Sequence, residues 1–126
     1  MAELRCTSTV RFDVIDEATI YLLSTLQKVA ARLEIAAVWI TSGTDGAHSG
    51  PDDPHHHGHA LDIRTHNFPT RAERVAFVEA LGLALGKAFF VFLEDPDTDN
   101  EHVHAQVKRG VTFPPRPITS ADRRSA

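Results

Sequence analysis

The sequence predicts a small α+β domain: an antiparallel or mixed sheet with two main helices packed on one face. Three observations predict it. Two stretches carry apolar residues at helical spacing, 16–33 and 71–86. Several short runs are either wholly apolar or alternate apolar with polar, as strands do. The resulting order is strand, helix, strand, loop, strand, helix, strand, strand, with no internal repeat and no linker. At 126 residues the chain is one domain by length, and a domain of that size buries about two-thirds of its unfolded surface. Residues 1–15 are read as an N-terminal arm and 111–126 as an extended tail.

The elements follow in order. Val10, Phe12 and Val14 alternate with Thr9, Arg11 and Asp13, which predicts a short strand or extended arm over 8–14. Leu22, Leu26, Val29 and Leu33 then recur at helical spacing, with Leu23 and Ala30 beside them. The run 35–41 is apolar and reads as a buried strand, ended by Ser42 and Gly43. Residues 43–54 hold three of the seven glycines and no large apolar residue, so they form a loop. Residues 59–64 are the next strand. Thr70 and Glu73 make a capping box before a second helix, whose expected buried stripe is Val75, Val78, Leu81 and Leu85 and whose stop is Gly86. The run 88–93 is apolar on both faces and predicts a central strand. An acidic loop, 94–100, leads to the alternating strand 102–107.

Composition narrows the function classes. A net charge of −4 gives no electrostatic reason to expect nucleic acid or an anionic membrane. No run approaches the roughly 20 apolar residues that cross a bilayer. The first residues lack the apolar core of a signal peptide, so the expected location is the cytoplasm of the producing cell, and work outside it would need another route of release. One cysteine excludes an internal disulfide framework. Histidine is the outlier: eight in the chain, six of them in two clusters.

Those clusters are His55, His56, His57 and His59, followed by Asp62, and then Glu101-His102-Val103-His104. Asp62 and Arg64 share one face of their strand, and His102, His104 and Gln106 share one face of theirs. A catalytic zinc site commonly has three protein ligands and an open position. The loop before Gly58 can supply a histidine, the next strand Asp62 and the last strand His104. Glu101, if it lies in the turn, could face the same point as general base toward an attacking water. The aspartates 95, 97 and 99 do not make a calcium loop, since Asn100 and Gln106 stand where glycine and glutamate are needed.

The pattern His55-x-x-Gly58-x-Ala60-x-Asp62, followed by Glu101-x-x-His104, resembles the D-alanyl-D-alanine peptidase and hedgehog-like zinc metallopeptidase family. The lead-in Ile40-Thr41-Ser42-Gly43 is similar too, and the likeness spans roughly residues 16 to 108. The resemblance implies one Zn²⁺ held by His55, Asp62 and His104, with Glu101 as base. It implies hydrolysis of peptide bonds in peptidoglycan stem peptides, of carboxypeptidase or endopeptidase type, as in phage or bacterial wall-degrading enzymes. One position departs from the family pattern: Asp45 stands where members commonly carry an arginine that polarises the scissile carbonyl. Arg64 is the expected substitute and His102 a second candidate. The alternatives are a solvated or salt-bridged Arg64, His57 in place of His55 as ligand, and a structural or exposed His59; Glu94 either orients a ligand or ends its strand, and His48 is a loop histidine or an accessory substrate contact. Asp45 also leaves open a catalytically silent zinc-binding or structural domain on the same scaffold.

Overall fold

The computed structural model describes residues 2–44 and 59–108. They form a five-stranded mixed sheet and two helices: β1 (Glu3–Cys6), α1 (Glu17–Arg32), β2 (Ala37–Ser42), β3 (Ala60–Arg64), α2 (Arg71–Leu85), β4 (Phe89–Glu94) and β5 (His102–Val107). The strand order is β1-β2-β3-β5-β4. β1 pairs with β2 in parallel, and the other three pairings are antiparallel. The α+β class expected from the sequence is the class observed.

Alternation sorts the sheet into two unlike faces. On one, Val38, Ile40, Leu61, Ile63, Val103 and Ala105 are buried with Leu22, Leu26 and Val29 of α1 and Phe77, Leu81 and Leu85 of α2. The other carries the polar and aromatic positions: Trp39 and Thr41, Asp62 and Arg64, His102 and His104, Phe90, Phe92 and Glu94. Phe90 and Phe92 are about half-exposed there.

The helices start where their caps dictate. Asp16 caps α1 through a reciprocal box: its carboxylate accepts from the Thr19 amide, and the Thr19 hydroxyl accepts from the Asp16 amide. At α2 the Thr70 hydroxyl accepts from the Glu73 amide at 3.1 Å. Gly86 ends α2 at φ 80°, a backbone state that a side chain would strain.

Three expectations are corrected. The first strand is Glu3–Cys6, not 8–14; there Val10 and Phe12 pack against the core without pairing. β4 lies at the edge of the sheet, not its centre, and its second aromatic face is left open. The buried stripe of α2 runs through Phe77, Leu81 and Leu85, while Val75 is exposed.

Both flanks of segment 45–58 are pinned. Thr44 donates its amide and hydroxyl to the Arg11 carbonyl, at 2.8 and 3.1 Å, and its hydroxyl accepts from the Asp13 amide. Gly43 is required beside it, since a Cβ would stand 2.5 Å from that same carbonyl oxygen. On the far flank, His59 Nε2 meets the α1 cap, Asp16 Oδ2, at 2.8 Å. This is the structural role weighed for His59.

Candidate metal centre

Antiparallel register brings the two sequence clusters together. Asp62 is paired directly with His104, and Arg64 with His102. Side chains at directly opposite positions have Cβ atoms about 5 Å apart, close enough for their polar ends to meet. His104 Nδ1 lies 3.1 Å from Asp62 Oδ1. β4 adds a group from the other side. Glu94 pairs with His102 in register, and its carboxylate spans both histidines: Oε1 is 3.1 Å from His104 Nδ1, and Oε2 is 3.4 Å from His102 Nε2. His102 Nε2 also stands 3.7 Å from Asp62 Oδ1.

The arrangement calls for positive charge. Two carboxylates converge on one ring nitrogen of His104, and like charges so placed repel unless a cation intervenes. The other nitrogen, Nε2, faces the Gln106 side-chain oxygen at 2.8 Å. A neutral imidazole has one N–H, so oxygen atoms at both ring nitrogens demand a second proton or a metal ion. Burial disfavours the charged ring, but the bond to Asp62, the bond to Gln106 and the charges of Asp62 and Glu94 outweigh it, and the His104 pKa is raised.

Two of the three ligands that the resemblance implies, Asp62 and His104, are within reach of one point. Donors bound tetrahedrally at about 2.0–2.1 Å stand about 3.3 Å from one another. The Asp62–His104 separation is close to that value. With Nδ1 turned to a metal, Nε2–H is left to donate to Gln106, the outer bond that fixes tautomer and ring orientation in zinc sites. Phe92 packs on the same ring with centroids 5.1 Å apart. Among the described residues no group of three or more His, Cys, Asp or Glu is arranged to close on an ion as it stands. The remaining expected ligand, His55, and its competitor His57 lie outside the described residues, as do His48 and Asp45.

Glu101 lies in the turn just before β5, where the sequence reading puts it, and its carboxylate has other partners there. Its carboxylate is buried and fully engaged: Oε1 accepts from the Thr65 hydroxyl at 2.8 Å, Oε2 from the Asp97 amide at 2.8 Å, and Arg74 Nη1 is 3.4 Å away. Thr65 belongs to the helix-facing parity of β3, with Leu61 and Ile63, opposite to Asp62. The Asp97 amide, chiefly, holds the Glu101 pKa below the usual glutamate value; burial opposes it, and Thr65, Arg74 and Arg71 assist. To act on the Asp62–His104 pair this carboxylate would have to leave all three partners.

Arg64 lies on the polar face with its guanidinium over the Trp39 ring, 5.6 Å from the centroid. It lines a cleft with Thr41, His66, Asp99, Asn100, Glu101 and His102 at the end of the β3–β5 pair. His102 Nδ1 is fixed by the Asn100 carbonyl at 2.7 Å, which directs Nε2 toward the carboxylates. Glu94 is the residue that sequence reasoning set aside. The available signal was the alternation Phe90, Phe92, Glu94, which places it beside the histidine face once β4 is paired with β5.

Comparison with known proteins found no matching family model, no matching curated protein and no matching solved structure. No helix among the described residues is long and apolar enough to cross a membrane.

Proposed function

We propose that the protein is a zinc-dependent hydrolase of peptide bonds in peptidoglycan stem peptides, with Asp62, His104 and a histidine of the 55–57 run as ligands. The observation that carries the reading is the convergence on His104: carboxylates at Nδ1 and an amide oxygen at Nε2, an arrangement that a divalent cation at Nδ1 satisfies. The substrate class follows from the sequence resemblance to D-alanyl-D-alanine peptidases. When bound, zinc supplies a Lewis acid that polarises a carbonyl or lowers the pKa of a water.

The chain's own residues do the rest. Gln106 keeps the His104 ring turned so that Nδ1 points into the site. Asp62 balances the metal's charge and, as a strand residue backed by buried Leu61 and Ile63, holds its position. Arg64 stands two residues along the same strand face, roughly 7 Å from Asp62, and offers positive charge to the oxyanion that forms at the scissile carbonyl. His102 Nε2, on the intervening side, carries a proton for the same oxygen or for the departing amine only in the imidazolium form, since Nδ1–H is held by the Asn100 carbonyl. Phe92 and Phe90 line the open face beside His104 and give an extended peptide apolar surface.

The experiment is digestion of purified cell wall by the zinc-loaded chain, with mass analysis of the released peptides. Cleavage at one peptide bond, abolished by a chelator and restored by zinc, is the expected result. Intact stem peptides after digestion with a zinc-replete chain would refute the proposal.

A further inference from the structure

We propose that the outer edge of β4 is the contact surface of a two-fold dimer, in which a second copy of this chain pairs antiparallel through its own β4 and the two sheets run on as one. The proposal stands apart from the zinc reading.

The two edges of the sheet are unlike. β1 has four residues, and Glu3 and Arg5 form an ion pair along it at 2.7 Å. Short, charged edges resist pairing with other chains. β4 is the opposite case. It has six residues, Phe-Phe-Val-Phe-Leu-Glu, with no proline, no basic residue and a ladder to β5 that runs 89–94 without a register shift. Phe90 and Phe92 are 50% and 43% exposed. Such an edge is a template for a further strand.

Register decides which backbone groups point outward. Lys108 donates its amide to the Ala88 carbonyl at 2.8 Å, so 88 and 108 are a hydrogen-bonded pair. Bonded and non-bonded pairs alternate along an antiparallel ladder. Phe90, Phe92 and Glu94 therefore direct their backbone groups to β5, and Val91 and Leu93 turn theirs to the edge.

A second β4 placed on a two-fold axis at Phe92 sets Val91 opposite Leu93 of the second copy, and Leu93 opposite its Val91. Those two pairs close four backbone hydrogen bonds with the outward groups alone. The side chains obey the same symmetry. Phe92 meets its own copy as a non-hydrogen-bonded pair, the closer kind, and aromatic pairs so placed attract. Phe90 comes opposite Glu94 of the second copy. Lys108 Nζ lies over the Phe90 ring, 4.8 Å from its centroid, which brings a cation to the place where that carboxylate arrives, twice per dimer. A two-fold contact has to be self-complementary, and this edge offers aromatic to aromatic and cation to carboxylate. An unrelated extended peptide would make the four backbone bonds without the charge pairing.

The test is sedimentation equilibrium of the full chain across concentration, with hydrogen exchange of the backbone amides. Wild type is expected to reach twice the chain mass of 13.9 kDa, and the Val91 and Leu93 amides to slow as it does. Phe92→Lys sets two cations face to face on the axis and is expected to weaken dimerisation about a hundredfold. Lys108→Glu and Glu94→Lys each create two like-charge pairs and are each expected to weaken it roughly tenfold. Mixing those two variants is expected to restore pairing as tight as wild type, because each then meets the opposite charge. The charge variants keep the test decisive if circular dichroism shows that Phe92→Lys does not fold. A wild-type chain that stays monomeric up to about 1 mM overturns the proposal. So does a dimer that a folded Phe92→Lys leaves unchanged, which would lie on another face. So does a mixture of the charge variants that pairs no better than its components. A monomer whose Val91 and Leu93 amides are already slow, or slow only when a wall peptide is added, overturns it too, since the chain itself or the peptide then covers the edge.

Discussion

Glu94 and Glu101 sit seven positions apart at the two ends of one hairpin and are treated in opposite ways by the fold. Glu101 borders the cleft at the end of the β3–β5 pair; its carboxylate is buried, accepts from Thr65 and Asp97 and is paired with Arg74. Glu94 is left on the open face with imidazoles before it. A carboxylate that accepts from a hydroxyl and a backbone amide braces a turn; one on an edge strand that faces imidazole nitrogens is left half in water. The same contrast holds for the sheet as a whole. Its covered face is apolar and closed, and its bare face concentrates histidine, carboxylate, arginine and exposed aromatic side chains.

That contrast can be broken on the covered side first. Phe77 is fully buried and packs on Phe68 with ring centroids 5.0 Å apart. Phe77→Ala should cost about 3–5 kcal/mol in chemical denaturation. Phe92→Ala on the open face should cost under about 1 kcal/mol, because nearly half of that side chain is already in water. Equal losses would show that the bare face is in fact covered.

Glu101→Gln should cost about 1–3 kcal/mol, since its amide nitrogen cannot accept from the Asp97 amide. The pH dependence has a definite sign. Because the folded Glu101 pKa is lowered, its contribution is fully present above the ordinary glutamate range and is lost as pH falls through the lowered value. Wild type should therefore lose more stability on acidification than Glu101→Gln does, as read by urea midpoints across acid pH. Parallel curves would contradict the brace.

Gln106→Leu sharpens the open side. It removes the acceptor at His104 Nε2 and should weaken zinc binding 10–100-fold with little change in melting temperature of the metal-free chain. The smallest expected effect is at the α2 cap, where Thr70→Ala should cost about 1 kcal/mol and leave zinc affinity unchanged.

Much of this was legible in the sequence, and the misses have physical causes. Period-two alternation placed Asp62, His102 and His104 on one face, and that is where register brings them. The α1 stripe through Leu22, Leu26 and Val29 was readable because helical spacing and burial coincide. The α2 stripe was misread only in its first turns, where Phe77 rather than Val75 is buried; both are apolar, and spacing alone does not choose between them. The β4 run looked central because both its faces are apolar; its outer face is instead an open aromatic surface. β1 was invisible, since Glu3, Arg5 and Cys6 are exposed and the strand is defined only by its pairing with β2. Glu101 was assigned by its spacing from His104, and spacing does not report that Thr65 and Arg74 would claim its carboxylate. The expected ligand in the 55–57 run lies outside the described residues.

The central claim is that Asp62 and His104 are two ligands of one zinc ion, and calorimetric titration of the metal-free full chain with zinc tests it most directly. The account predicts one site in wild type, with affinity reduced at least a hundredfold in both Asp62→Ala and His104→Ala while the far-ultraviolet circular dichroism of the metal-free chains stays the same. Wild-type affinity in either folded variant would contradict it.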